Sequence, residues 1–257
     1  MFTTDQTASQ HHGGRTHQCD STAHHHDPDT GHRAWVLLDG IGDRDYTATW
    51  VLTAAPALAR LATQLGDPAA AIRQIRPILH AERAHLDFPE DWPPDAAAIV
   101  AVLDPEGTLT VAWAGDCRAY LARNGSARLL TTDHNKATDQ RREGHRPDPD
   151  AHDYLTSSLC FLTGEVGTVT VRLPARALRP RPWRLLLASD GAYLPHEQAG
   201  TLPGPLPTGD RRPSPSAPAP ALTGPADTVA RRLVALAVHT DPVGADNSTV
   251  LVIDITP

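Results

Sequence analysis

The stretch Arg33-Ala34-Trp35-Val36-Leu37-Leu38-Asp39-Gly40 drives apolar residues straight into an acid and a glycine, and Leu185-Leu186-Leu187-Ala188-Ser189-Asp190-Gly191 does the same. Aliphatic runs of this length read as buried strands, and Asp-Gly is ordinary turn chemistry where a strand ends. A turn does not explain why the acid recurs. Two further acids flank strand-like runs: Asp116 follows Thr110 to Gly115, and Asp246 precedes Ser248 to Ile255. If these strands are neighbours, four carboxylates converge at one rim of the core. Carboxylates gathered without Lys or Arg repel one another, so they are protonated or share cations. Hard divalent ions with oxygen ligands, such as Mg2+ or Mn2+, are the natural solution.

The rest of the chain supplies the frame. From Asp45 to about Leu86, Trp50, Val51, Ala54, Leu58, Leu61 and Leu65 recur at helical spacing. Two helices are expected, separated at Gly66-Asp67-Pro68, with kinks or restarts at Pro56 and Pro77. Short strands follow over 97–103, 108–114, 119–123 and 127–130, divided by the hairpin signals Asp104-Pro105-Glu106-Gly107 and Asn124-Gly125. Residues 135–153 are charged and nearly free of apolar side chains, and so predict an exposed excursion. Strands resume over 166–173 and 183–188. The proline-dense stretch 202–225 reads as an extended loop, a spacer within the domain. A helix carrying Val229, Leu233, Leu236 and Ala237 on one face and a last strand over 248–255 close the chain. This order predicts sheets packed together with helices outside.

At 257 residues a single domain over 1–257 is expected. Residues 1–32 hold seven of the fourteen histidines, among them His24-His25-His26, and read as a solvated, partly mobile segment, residues 1–14 above all. A net charge of -7 offers no basic stripe for a phosphate backbone, which argues against nucleic acid as partner. No apolar run approaches the roughly 20 residues of a membrane span, and the polar start has no hydrophobic signal region, so a cytoplasmic protein without a membrane partner is expected. Cys19, Cys117 and Cys160 are too few and too scattered for a disulfide framework, and read as small buried or surface residues.

Five segments together resemble the metal-dependent serine/threonine protein phosphatases of type 2C, the PPM family, of bacterial type. In order they are Arg15-Thr16-His17-Gln18-Cys19-Asp20, the VLLDGIG turn, the AWAGDCRAYLARNGSARLLTTDH hairpin, LLLASDGAY and ADNSTVLVI. The resemblance implies an α+β fold, a four-layer α/β/β/α sandwich of two mainly antiparallel sheets packed face to face with helices outside. It implies two Mn2+ or Mg2+ ions, with Asp39 bridging them, the Gly40 carbonyl on one, and Asp190 and Asp246 holding the other. Asp20 would anchor the second ion's water shell, Arg15 would grip the substrate phosphate, and Asp116 matches an acid that helps bind a third, weaker ion. The implied reaction is hydrolysis of phosphoserine or phosphothreonine in proteins by a metal-activated water. The expected partners are phosphorylated proteins, substrates of serine/threonine kinases, and the expected state is a monomer.

Departures from the family pattern motivate an alternative, a phosphatase-like domain that binds phosphoproteins or regulates without turnover. Cys19 stands where the family carries Glu or Gln, and a thiol does not suit a hard cation. Asp43 replaces a glycine and places a negative charge beside the phosphate site. Ile41 and Asp95-Ala96-Ala97 also differ from the family pattern. An aspartyl-phosphate mechanism of the haloacid dehalogenase type, suggested by Leu38-Asp39-Gly40, is set aside because position 41, where that family needs a second acid, is Ile.

Overall fold

The computed structural model describes residues 2–84, 93–174, 182–205, 213–240 and 243–257. Two sheets form the centre. The first has strands β2 (Asp20–His26), β3 (Arg33–Gly40), β4 (Ala96–Leu103), β5 (Thr108–Ala114) and β8 (Gly167–Arg172), in the order β2-β3-β4-β5-β8. The second has β1 (Thr3–His11), β6 (Arg118–Arg123), β7 (Ser126–Leu129), β9 (Trp183–Ala188), β10 (Ala217–Pro218) and β11 (Ser248–Thr256), in the order β1-β11-β9-β6-β7-β10. Every strand pair is antiparallel.

Strand parity sorts the side chains into layers. Trp35 and Leu37 of β3 face the second sheet and meet Ile99, Leu121, Leu185, Leu187, Leu251 and Ile253 in the central core. Ala34, Val36 and Leu38 point the other way, against helices α1 (Asp45–Leu65) and α2 (Pro68–Ala84). On the far side Leu186, Val250 and Val252 pack against α4 (Asp190–Gln198) and α5 (Ala226–Thr240). Each aliphatic side chain fully removed from water contributes about 1.5–3 kcal/mol. The result is the four-layer α/β/β/α sandwich. β3, β4 and β9 thus run through the centre with both faces covered, which is why they are almost unbroken apolar runs.

Several expectations are corrected. The start of the chain is ordered: Thr3–His11 pairs with β11 over nine residues, and Asp20–His26 pairs with β3. The polar side chains of β1 conceal this, because an edge strand is held by its backbone ladder and leaves one row of side chains to solvent. Pro56 and Pro77 lie inside α1 and α2 without ending them, and α1 stops at Gly66, whose φ of 62° is left-handed. The end expected near Leu86 lies outside the described residues. The excursion 135–153 contains a short helix, α3 (Lys136–Arg142), capped by Asn135, whose side chain accepts from the Thr138 amide. Ala137 within it is buried, as is Ala151, whose carbonyl accepts from the Ala137 amide at 3.0 Å. Helix α4 follows Ser189 where no helix was expected. Within the proline-rich stretch the described part forms β10 and a turn of 3-10 helix at Pro220–Leu222, while residues 206–212 lie outside the described set.

Candidate functional site

The rim is built by the ends of strands. Asp39 shares parity with Trp35 and Leu37, so its carboxyl lies at the mouth of the space between the sheets. Asp20 is its direct partner across β2 and β3, and paired positions of an antiparallel ladder hold their Cβ atoms roughly 5 Å apart. Asp190 opens α4 immediately after β9, Asp246 precedes β11, and Asp116 sits in the turn between β5 and β6. Sequence positions 20, 39, 116, 190 and 246 therefore reach one edge of the sandwich. Asp20 is buried, and the other four are half-buried, open to the rim.

Glycines make the close approaches possible. A Cβ on Gly40 would lie 2.4 Å from the Cys19 carbonyl oxygen, and the Gly40 amide donates to that same oxygen at 3.0 Å. Gly115 has a φ of +111°, and a Cβ there would stand 2.5 Å from the Ala97 Cβ. These positions admit no side chain, so Asp39 and Asp116 are drawn against the neighbouring strands.

The acids lack cationic company. Loss of hydration pushes the Asp20 carboxyl up to about 7; hydrogen bonds from Thr249 and Ser189 oppose this, and the charges of Asp190 and Asp246 add to it. Burial and the Asp246 charge raise Asp190 to about 6. Asp39 is held well above the ordinary carboxylate range by burial, then by the charges of Asp20, Asp190, Asp116 and Asp246. Asp116 is raised likewise, by burial and then by Asp190 and Asp133. Arg118 is near but committed: it grips both oxygens of Asp133 at 3.0 and 2.7 Å, pairs with Glu197, and stacks 3.9 Å over the Tyr193 ring. Among the described residues, the Arg15 guanidinium bonds Asp246, at 2.6 Å.

The donor set suits a hard divalent cation. Asp20 Oδ2 accepts from the Ser189 hydroxyl at 3.0 Å, whereas Asp20 Oδ1 is buried with no hydrogen-bond partner among the described residues. An orphaned buried carboxylate oxygen beside a second acid is costly unless a cation or its water shell meets it. No three His, Cys, Asp or Glu side chains among the described residues stand together as a ready ligand set. The acids instead lie along one rim, close enough for their charges to raise one another.

Cys19 does not face this space. It is fully buried, its thiol donates to the Arg44 carbonyl at 3.6 Å, and its amide donates to Asn247 Oδ1 at 2.7 Å. All three cysteines are buried and free, and burial raises each thiol above its ordinary range, Cys160 to about 12. Nor does Asp43 stand loose beside the rim, since its carboxylate is bonded to the Thr16 and His17 amides.

Two residues escaped the sequence reading as functional parts. Asn247 donates to the His12 and His17 carbonyls at 3.0 and 2.9 Å, fastening the Arg15 segment to the start of β11. Ser189 joins Asp20 to β11, because its Oγ also accepts from the Thr249 amide at 3.0 Å. Their place beside Asp246 and Asp190 in the ADN and SDG segments was the available signal.

Comparison with known proteins follows the same lines. A family model described as Protein phosphatase 2C matches residues 58–146. A 49-residue stretch, 19% of the chain, is 45% identical to Probable protein phosphatase 2C 30 of Arabidopsis thaliana and spans 13% of that protein. The fold is similar to the catalytic domain of serine threonine protein phosphatase PstP in complex with two manganese ions, with a TM-score of 0.74 at 23% identity over 100% of both chains. It is also similar to the serine/threonine phosphatase of S. agalactiae, with a TM-score of 0.74 at 18% identity over 98% of this chain and 99% of that one. No helix among the described residues is long and apolar enough to cross a membrane.

Proposed function

We propose that the chain is a member of the protein phosphatase 2C family, whose model matches residues 58–146 and whose fold it shares, and that it hydrolyses phosphoserine and phosphothreonine esters in proteins. The observation that carries this reading is the Asp20–Asp39 pair, with its orphaned Oδ1 atom, set among Asp116, Asp190 and Asp246. Asp39, the Gly40 carbonyl, Asp190 and Asp246 would hold two Mn2+ or Mg2+ ions, Asp20 would support the water shell of the second, and Asp116 would serve a third, weaker ion. The manganese in the PstP relative supports this choice of cation. When bound, such ions supply a nucleophilic water of lowered pKa and offset charge on the leaving oxygen.

The chain's own residues do the rest. Arg15 offers a planar fork that matches a phosphate. Half-buried at the rim, and with Asp246 as its side-chain partner among the described residues, it is able to turn toward a substrate. Ser189 and Thr249 hold Asp20 so that one oxygen remains directed away from protein donors. Buried thiols leave no cysteine nucleophile, consistent with hydrolysis that forms no covalent enzyme intermediate. Phosphorylated targets of serine/threonine kinases are the proposed substrates, acted on by a monomer in the cytoplasm.

The test is turnover of a phosphothreonine peptide and of p-nitrophenyl phosphate with millimolar Mn2+, beside Asp39→Asn. Loss of turnover by several hundredfold in the variant is expected. A wild type as inactive as Asp39→Asn would sink the reading; tight peptide binding without turnover would then favour the phosphoprotein-binding module.

A further inference from the structure

The chain's departure at position 43 has a structural counterpart. The turn after β3 reads Asp39-Gly40-Ile41-Gly42-Asp43. Gly42 has a φ of +97° with open space around it, a conformation that favours glycine. From this turn the Asp43 carboxylate reaches across 26 and 27 positions of sequence to the segment between β1 and β2. Its Oδ2 accepts from the Thr16 amide at 2.8 Å, its Oδ1 accepts from the His17 amide at 2.7 Å, and the His17 Nδ1 lies 3.1 Å from that same Oδ1. Those bonds hold the carboxyl down to about 2.

The residue just before this brace is Arg15. No strand or helix carries it; it sits in a connection also fastened by the Arg15 amide on the His12 carbonyl at 3.1 Å, the His12 Nδ1 2.9 Å from the Arg15 carbonyl, the Gly14 amide on the Ala245 carbonyl at 2.8 Å and the Asn247 side chain on the His12 and His17 carbonyls. Asn247 pulls the segment toward β11, and Asp43 pulls it toward the turn that carries Asp39 and Gly40. Asp43 thus links the residues directly after Arg15 to the turn that follows the central acid, beside the Gly40 amide that donates to the Cys19 carbonyl further along.

We infer that Asp43 is a positioning residue for Arg15, holding the guanidinium where a phosphate monoester dianion meets it. The inference rests on the reading of Arg15 as the phosphate-gripping residue. It reverses the sign expected from charge alone. A bare carboxylate beside the phosphate would repel it, so removing the charge would tighten binding. A brace predicts weaker binding, because two amides lose their acceptor and the arginine loses its fixed base.

The experiment is calorimetric titration of the full chain with inorganic phosphate at millimolar Mn2+, comparing wild type with Asp43→Asn, Asp43→Gly, Arg15→Ala and the double variant Arg15→Ala/Asp43→Gly. Thermal unfolding confirms that each variant is folded, and Asp43→Asn keeps one acceptor should Asp43→Gly lose its fold. Phosphate affinity is expected to fall roughly three- to tenfold in either Asp43 variant. It should fall no further when Asp43→Gly is added to Arg15→Ala, and Mn2+ affinity should stay unchanged throughout. Equal or tighter phosphate binding in the Asp43 variants overturns the inference, as does a further loss in the double variant. Absence of phosphate binding by the wild type also overturns it. Turnover is not read here, so a wild type that binds phosphate through Arg15 and Asp43 yet hydrolyses nothing sinks the proposed activity and leaves this inference standing.

Discussion

Asp20 gives the rim a measurable signature in the metal-free protein. Its carboxyl titrates near 3.8 in an unfolded chain and at about 7 in the fold, where it is 2% exposed. Between those values the native state keeps a proton that the unfolded state has released. The native state therefore binds more protons, and stability falls as pH rises. The stabilisation is fully present below pH 3.8 and is lost as pH passes through about 7. The portion lost between pH 5 and 8 spans about two pH units, or about 3 kcal/mol at roughly 1.4 kcal/mol per unit. A chain of 257 residues has an unfolding entropy of about 0.5 kcal/mol/K, so the expected drop in Tm from this group is about 5 °C. Asp39, Asp116 and Asp190 are shifted in the same direction and steepen the slope. The assay is thermal unfolding in EDTA across that pH range for wild type and Asp20→Asn. The variant should lose about 5 °C less than the wild type. Millimolar Mn2+ should raise the wild-type Tm more at pH 8 than at pH 5, because the cation competes with protons for the same oxygens. Identical pH slopes in the two proteins, or a Mn2+ effect independent of pH, would refute the placement of Asp20 as a buried acid awaiting a cation.

Three further outcomes follow from the packing. Arg118→Leu leaves Asp133 buried without its partner and should cost about 3–5 kcal/mol in urea unfolding, whereas Arg118→Leu/Asp133→Leu should recover most of it. Gly115→Ala should destabilise by about 1–3 kcal/mol, because its φ is left-handed and its methyl would strike Ala97; Ala97→Gly should partly relieve the clash without relieving the strain. Ellman's reagent should leave the native protein unmodified and titrate three thiols after denaturation, since Cys19, Cys117 and Cys160 are all buried.

What the sequence disclosed depends on whether a residue's role is local. β3, β4 and β9 were legible because strands covered on both faces must be aliphatic throughout, and that pattern needs no knowledge of the neighbours. Their terminal acids were legible for the same reason, as interruptions of such runs. β1 was not, since Thr3–His11 buries little and takes its place from the ladder it forms with β11, 245 positions away. α4 was hidden by the Asp-Gly at its start and by Pro195 within it, local features that read as a turn.

The site divides along the same line, and the division bears on how departures from a family pattern are judged. Cys19 and Asp43 looked like damage to a metal and phosphate site because each was weighed at the position it occupies in the motif. Local alternation explains the first: directly before β2, one residue from Asp20, Cys19 turns its thiol to the Arg44 carbonyl at the start of α1. A thiol in that place neither competes for a cation nor repels one. Asp43 shows the converse, a charge whose partners lie on a segment 26 and 27 positions away, so that its carboxylate is spent on two amides before it can act on a phosphate. Both substitutions are therefore compatible with a working rim. On the proposed reading, activity turns on what the motif acids share: five carboxylates at one rim, with the half-buried Arg15 bonded to Asp246.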